Sequence, residues 1–205
     1  MRKLVYLIFV LIALFFGYFL FVLPRGEQAA EPISAGGVIV CFGDSLTYGT
    51  GASPGMDYPS RLAGRLNREV VNAGVPGDTT ASALKRLQRD VLSETPALVL
   101  ITLGGNDLKN GVPADEALAN LIEIVEVLQK SGARVIVGGL RFPMRDRGYG
   151  KAYAELAERT GVVLIPNVLD GILGNRNLMS DPIHPNDDGY ELMAGRFYEA
   201  VLDIR

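Results

Sequence analysis

From Val38 onward the chain repeats one pattern: a short, almost purely apolar run, then a longer stretch with helical periodicity. The runs are "VIVCF" (38–42), "EVVNAG" (69–74), "ALVLITLGG" (97–105), "RVIVGGL" (134–140) and "VVLIPNV" (162–168). Their length and β-branched content read as strands. Unbroken apolar character, rather than alternation, is what a strand covered on both faces requires. Residues 58–67, 79–92, 113–132, 149–161 and 188–204 read as helices. In 113–132 the Leu, Ile and Val positions recur every three to four residues, Pro113 suits the first turn and Gly132 ends it. Thr79 or Asp78 is the expected N-cap of 79–92. The alternation predicts an α/β fold: a parallel sheet with helices on both faces and right-handed crossovers. At 205 residues the chain holds one such domain and an appendage.

In sheets of this kind ligands bind beyond the carboxyl ends of the strands. Those ends are rich in glycine and small polar groups. The first is Gly43-Asp44-Ser45, the second Asn72-Ala73-Gly74, and the third Gly104-Gly105-Asn106-Asp107. The fourth is Gly138-Gly139, followed by Leu140-Arg141-Phe142-Pro143. Ser45 is a weak nucleophile until a base takes its proton. The sequence holds a single histidine, His184, in "MSDPIHPND". Asp181 precedes it by three residues and can fix the imidazole's tautomer. Pro182 and Pro185 disfavour helical backbone at Asp181 and His184, so the pair sits on a stiff loop. A lone loop histidine is most simply a structural partner of its aspartate; the serine motif and the two prolines tilt this one towards catalysis. Acyl transfer also needs donors for a developing oxyanion. The Ser45 N–H, the Gly74 N–H and the Asn106 side-chain amide are the candidates at successive strand ends.

With these residues in view, the body from about Val38 to the C-terminus resembles the SGNH hydrolases, also called the GDSL esterase/lipase family. "FGDSLT" is similar to the family's serine block, "VNAGVPGDTT" to its glycine block, "LGGND" to its asparagine block and "DPIHPN" to its Asp-x-x-His block. Within the family the likeness is greatest to the bacterial periplasmic thioesterase/lysophospholipase/arylesterase group. The resemblance implies a three-layer α/β/α sandwich, SGNH or flavodoxin-like, with about five parallel strands. It implies Ser45 as nucleophile, His184 as base, Asp181 as orienting acid, and Ser45, Gly74 and Asn106 as oxyanion hole. No cofactor or metal is expected, and activity should fall as His184 becomes protonated at low pH. Substrate contacts are expected from Asp44, which also shapes the turn, and from Leu108, Phe142, Pro143 and Ile183. Asp107 reads as a structural cap. The segment 75–80, with Gly77, reads as a mobile loop beside the carbonyl site, and the cations of "RFPMRDRGYGK" (Arg141, Arg145, Arg147, Lys151) as a solvated face, with attraction of an anionic group as the alternative.

The N-terminus stands apart. "MRKLVYLIFVLIALFFGYFLFVLPRG" carries Arg2 and Lys3, then apolar residues from Leu4 to Leu23. At about 1.5 Å per residue a helix of that length spans roughly 30 Å, the thickness of a bilayer core. Residues 1–24 are expected to be a signal anchor, or a cleaved signal peptide, and 25–37 a linker to the hydrolase domain 38–205. The charge bias puts the body of the protein outside a bacterial inner membrane, in the periplasm or extracytoplasmic space.

The formal net charge of −3 and the absence of any arginine-rich run exclude a nucleic-acid surface. One cysteine, Cys41, excludes an internal disulfide and a paired-cysteine metal site. The partners expected are a small acyl ester or thioester and, through the N-terminal helix, a membrane; the protein is expected to be a monomer. Sequence leaves open a carbohydrate or peptidoglycan O-acetyl esterase, an acyltransferase, and a catalytically silent membrane-tethered binding domain.

Overall fold

The computed structural model describes residues 37–142 and 146–204. The anchor and nearly all of the linker, together with Pro143, lie outside them. Among the described residues no helix is long and apolar enough to cross a membrane.

Five parallel strands form one sheet: β1 (Val38–Gly43), β2 (Val70–Gly74), β3 (Pro96–Thr102), β4 (Arg134–Gly138) and β5 (Val163–Ile165). Their order is β2-β1-β3-β4-β5. The central strands are buried almost throughout, whereas the edge strands β2 and β5 are half-buried. Short, half-covered edges limit pairing with other chains. Ile39, Val40, Cys41, Phe42, Leu98, Val99, Leu100 and Ile101 have no exposed surface. Full burial of side chains of this kind contributes about 1.5–3 kcal/mol each, which is why the sheet forms where these runs lie.

The helices are α1 (Ser45–Tyr48), α2 (Tyr58–Leu66), α3 (Thr80–Asp90), α4 (Gly105–Asn110), α5 (Ala114–Lys130), α6 (Tyr149–Thr160) and α7 (Asp187–Asp203). A 3-10 turn, Leu92–Glu94, precedes β3. Packing divides them into two groups. One is α2 with α7, where Tyr58 stacks on Phe197 at 4.9 Å between ring centroids. The other is α3, α5 and α6. The sheet lies between the two groups.

Several expected boundaries move: the run 162–168 yields only the three-residue β5, and 134–140 ends as a strand at Gly138. The run 97–105 is not one strand: β3 stops at Thr102, and Gly104, at φ +115°, turns the chain into α4. Pro113 is the N-cap of α5 rather than a residue of its first turn. Thr79 caps α3, in a reciprocal capping box with Ser82.

Candidate active site

The strand order reverses between β1 and β3, which lie side by side although the chain runs from β1 out to β2 before returning. That reversal opens a crevice at the carboxyl ends of the two strands. Ser45 follows β1 there, and Asn106 follows β3.

Close packing fixes Ser45. A Cβ on Gly43 would fall 2.2 Å from Thr47 Oγ1, and one on Gly74 would fall 2.2 Å from the Tyr48 nitrogen. Both positions are glycine because α1 lies directly against the ends of β1 and β2. Asp44 caps α1, its Oδ1 accepting from the Leu46 N–H at 3.0 Å. Thr47 is buried, with its hydroxyl 2.9 Å from that of Tyr58.

Beneath this turn lies an arginine that sequence reasoning passed over. The Arg86 guanidinium donates to the Gly43 carbonyl and to the Ala73 carbonyl, each at 3.0 Å, and to Asp78 Oδ2 at 2.7 Å. It also lies 4.4 Å over the Phe42 ring. Arg86 and Asp78 are both buried, so the ends of β1 and β2 and the following turn are held by a desolvated charge pair. The segment 75–80 is therefore tied down. The Val75 N–H donates to the Gly43 carbonyl at 3.0 Å, the Asp78 N–H to the Val75 carbonyl at 3.1 Å, and Asn106 Nδ2 to the Asp78 carbonyl at 2.9 Å. Buried Asp107 accepts from the Thr80 N–H at 2.9 Å and from its hydroxyl at 2.6 Å, which pins α4 to the start of α3. Its capping role is thus played on a neighbouring helix.

The other half of the site comes from the loop before α7. Met179 and Pro185 form an antiparallel bridge, the Ser180 N–H donates to the His184 carbonyl at 2.9 Å, and Asn186 caps α7. Within this small hairpin Asp181 Oδ1 accepts from the backbone N–H groups of Ile183 and His184, each at 2.8 Å. Asp181 Oδ2 meets His184 Nδ1 at 2.6 Å, and His184 Nε2 lies 3.0 Å from Ser45 Oγ. The imidazole hydrogen bond, with help from the two backbone donors, holds the Asp181 carboxyl below the usual carboxylate range. An ionised carboxylate only accepts, so the shared hydrogen belongs to Nδ1 and the Nε2 lone pair faces the serine hydroxyl. Fold and loop thus bring Ser45, His184 and Asp181 into one chain of hydrogen bonds.

The expected oxyanion donors fare differently. The Ser45 N–H, in the first turn of α1, has no hydrogen-bond partner among the described residues. Asn106 Nδ2 spends both hydrogens, one on the Asp78 carbonyl and one on Asp44 Oδ2 at 3.1 Å. Gly74 does not offer a free donor: its N–H is given to Asn72 Oδ1 at 3.0 Å, and its lack of a side chain is explained by the approach of α1. Gly77, three residues on, has φ +83° at the third position of the Val75–Asp78 turn, and its N–H has no partner among the described residues.

A cavity of about 280 Å³ opens over Ser45, Asn106 and His184. Four of the expected substrate contacts, Asp44, Leu108, Phe142 and Ile183, line it. Leu46, Leu140 and Leu169 complete its apolar wall, and Lys109 and Arg147 also line it. Buried Leu140 and Leu169 read in sequence as core, with nothing to mark them as cavity floor. Burial pushes the Asp44 carboxyl up to about 7, against the pull of the Leu46 N–H and the His184 charge. Among the described residues no cluster of His, Cys, Asp and Glu could hold a metal ion.

Known proteins similar to this chain fall in one family. Residues 41–192 match the GDSL-like Lipase/Acylhydrolase family. The chain is 31% identical over 188 residues to an arylesterase of Vibrio mimicus, covering 85% of this chain and 90% of that protein. It is 30% identical over 184 residues to thioesterase 1/protease 1/lysophospholipase L1 of Escherichia coli, covering 86% of each. Among solved structures, that of AlinE4, an SGNH-hydrolase family esterase, superposes with a TM-score of 0.67 at 35% identity, covering 82% of this chain and 96% of that one. The family match over most of the folded body, with relatives of similar length, establishes that the chain belongs to the GDSL-like lipase/acylhydrolase family, the SGNH hydrolases.

Proposed function

We propose that the protein is a carboxylic ester hydrolase that cleaves acyl esters or thioesters through Ser45, His184 and Asp181. One observation carries this reading: the unbroken hydrogen-bond chain from Asp181 to His184 at 2.6 Å and from His184 to Ser45 at 3.0 Å, on the wall of an apolar cavity. The arylesterase and thioesterase/lysophospholipase relatives support the same class of chemistry.

In this mechanism His184 Nε2 takes the Ser45 proton as Oγ attacks the carbonyl carbon. Asp181 holds the imidazole by Nδ1 and stabilises its positive charge. The tetrahedral oxyanion is received by the free Ser45 N–H and by Asn106, which exchanges one of its present acceptors for the substrate oxygen. Gly77, with its N–H unspent and its neighbour Asp78 bonded to Asn106, replaces Gly74 as the second backbone donor. His184 then protonates the leaving group, and water, activated by the same imidazole, hydrolyses the acyl-enzyme. The apolar walls receive the acyl group, and the modest cavity favours short and medium chains over long ones.

The N-terminal apolar run from Leu4 to Leu23 supports a membrane tether with the hydrolase body outside the cytoplasm. Membrane fractionation and N-terminal sequencing of the expressed protein check that, since a cleaved signal would release a body beginning after the run.

The test is turnover of p-nitrophenyl esters from acetyl to palmitoyl by the full chain and by Ser45→Ala. Turnover that Ser45→Ala lowers at least a thousandfold, with an unchanged circular dichroism spectrum, is expected. A Ser45→Ala protein with full activity would overturn the assignment. An optimum confined to acetyl esters would move the substrate to O-acetyl groups of carbohydrate or peptidoglycan.

A further inference from the structure

The cavity over Ser45 has an electrostatic character that the acyl-hydrolase reading leaves unused. Two cations, Lys109 and Arg147, line it. Neither has an ion-pair partner among the described residues, although the chain carries a net charge of −3. The one carboxylate on the wall, Asp44, is buried and occupied by the Leu46 N–H and the Asn106 amide. It does not neutralise them.

Their placement follows from the fold. Lys109 stands three residues after Asn106 on α4, and residues at that spacing share a helix side, so the ammonium and the amide face one cavity. Arg147 comes from the turn before α6. A Cβ built on Gly111 would lie 3.9 Å from Arg147 Nη1, so the guanidinium sits against the C-terminal end of α4. Arg147 itself has φ +46°, in the left-handed region. With Gly148 it forms the centre of the Asp146–Tyr149 turn, which the Tyr149 N–H closes on the Asp146 carbonyl at 2.9 Å and which sets the direction in which Arg147 leaves the backbone.

We propose that this cavity selects esters or thioesters that carry an anionic group, a carboxylate or a phosphate, received by Lys109 and Arg147. The proposal rests on the hydrolase reading of the same site and names its substrate class. The apolar wall takes the hydrocarbon, and the two cations take the charge at the far side of the α4 helix end.

The experiment uses the full chain in non-ionic detergent and two matched substrate pairs. p-Nitrophenyl hexanoate is set against p-nitrophenyl hydrogen adipate, which adds a carboxylate at the acyl end. Monohexanoylglycerol is set against its 3-phosphate, which adds a phosphate to the leaving group. The expected result is a kcat/KM ratio above one for the anionic member of at least one pair. That ratio falls about tenfold in Lys109→Gln/Arg147→Gln, chiefly through KM, and shrinks with added salt. The pair that shows it identifies the side of the ester that bears the charge. A ratio at or below one in both pairs, or a ratio unmoved by the substitutions, would overturn the proposal. Should no ester be turned over, the hydrolase reading fails, and calorimetric titration of hexyl phosphate into the Ser45→Ala chain decides this one. Binding that disappears when Lys109→Gln and Arg147→Gln are added supports it; no binding, or binding that survives them, overturns it.

Discussion

The two halves of the site are built in opposite ways. Ser45 stands on a buried frame: Asp44 and Thr47 are almost without exposed surface, α1 leaves no room for a side chain at Gly43 or Gly74, and Arg86 ties the strand ends from beneath. Asp181 and His184 stand on an exposed hairpin held by its own backbone hydrogen bonds and the cap of α7, with the Asp181 side chain 43% exposed. Ser45 is thus positioned by the core of the fold, and His184 by the local geometry of the segment from Met179 to Asn186. Damage to the first half should appear as lost stability, and damage to the second as lost turnover with the fold intact.

The sharpest contrast comes from Asp181→Asn. The neutral amide cannot hold the imidazole in the required tautomer, so kcat should fall about 10³–10⁴-fold. Because the Asp181 side chain is exposed, stability in urea should change by less than about 1 kcal/mol. Loss of stability matching the loss of activity would break the comparison. Arg86→Ala should do the reverse. It leaves Asp78 buried without its partner and the Gly43 and Ala73 carbonyls short of a donor, and should cost about 3–5 kcal/mol in equilibrium unfolding. A cost below about 1 kcal/mol would show that the frame does not depend on this pair. Gly74→Ala forces a Cβ against the Tyr48 nitrogen, and about 1–3 kcal/mol of destabilisation is expected, with kcat lowered because α1 must shift. An unchanged melt would remove close packing as the reason for this glycine.

The smallest effect is a pH signature of the buried half. Burial pushes Asp44 up to about 7, so the folded chain keeps a proton that the unfolded chain releases near pH 4. Asp44 therefore contributes a loss of stability as pH rises from about 4 to about 7, and no further change above. Asp44→Asn cannot ionise. The Tm of the variant minus that of the parent should be more positive at pH 8 than at pH 5; equal differences at the two values would contradict this.

The same contrast explains what the sequence made legible. The strands and the long helices followed from apolar run length and period, because burial between two helical layers imposes both. Ser45, His184 and Asp181 were legible because they lie in local motifs at strand and loop ends. The short helices α1 and α4, of four and six residues, were not, since neither completes two turns of any pattern. Arg86 read as one more cation on a polar helix; only the sheet brings the Gly43 and Ala73 carbonyls to it. Which glycine of "NAGVPGD" keeps its N–H unspent was likewise invisible, because the Asn72 side chain, two residues back on β2, takes the Gly74 N–H. Arg147 read as part of a charged loop; that it shares a cavity with Lys109, 38 positions earlier, follows only from the fold.

The measurement that bears most directly on the central claim is labelling of the full chain by a serine-directed phosphonate, followed by mapping of the modified peptide. The account predicts one adduct per chain, on Ser45, absent from Ser45→Ala and strongly slowed in Asp181→Asn. An adduct on another residue, or no adduct on the folded protein, would contradict it.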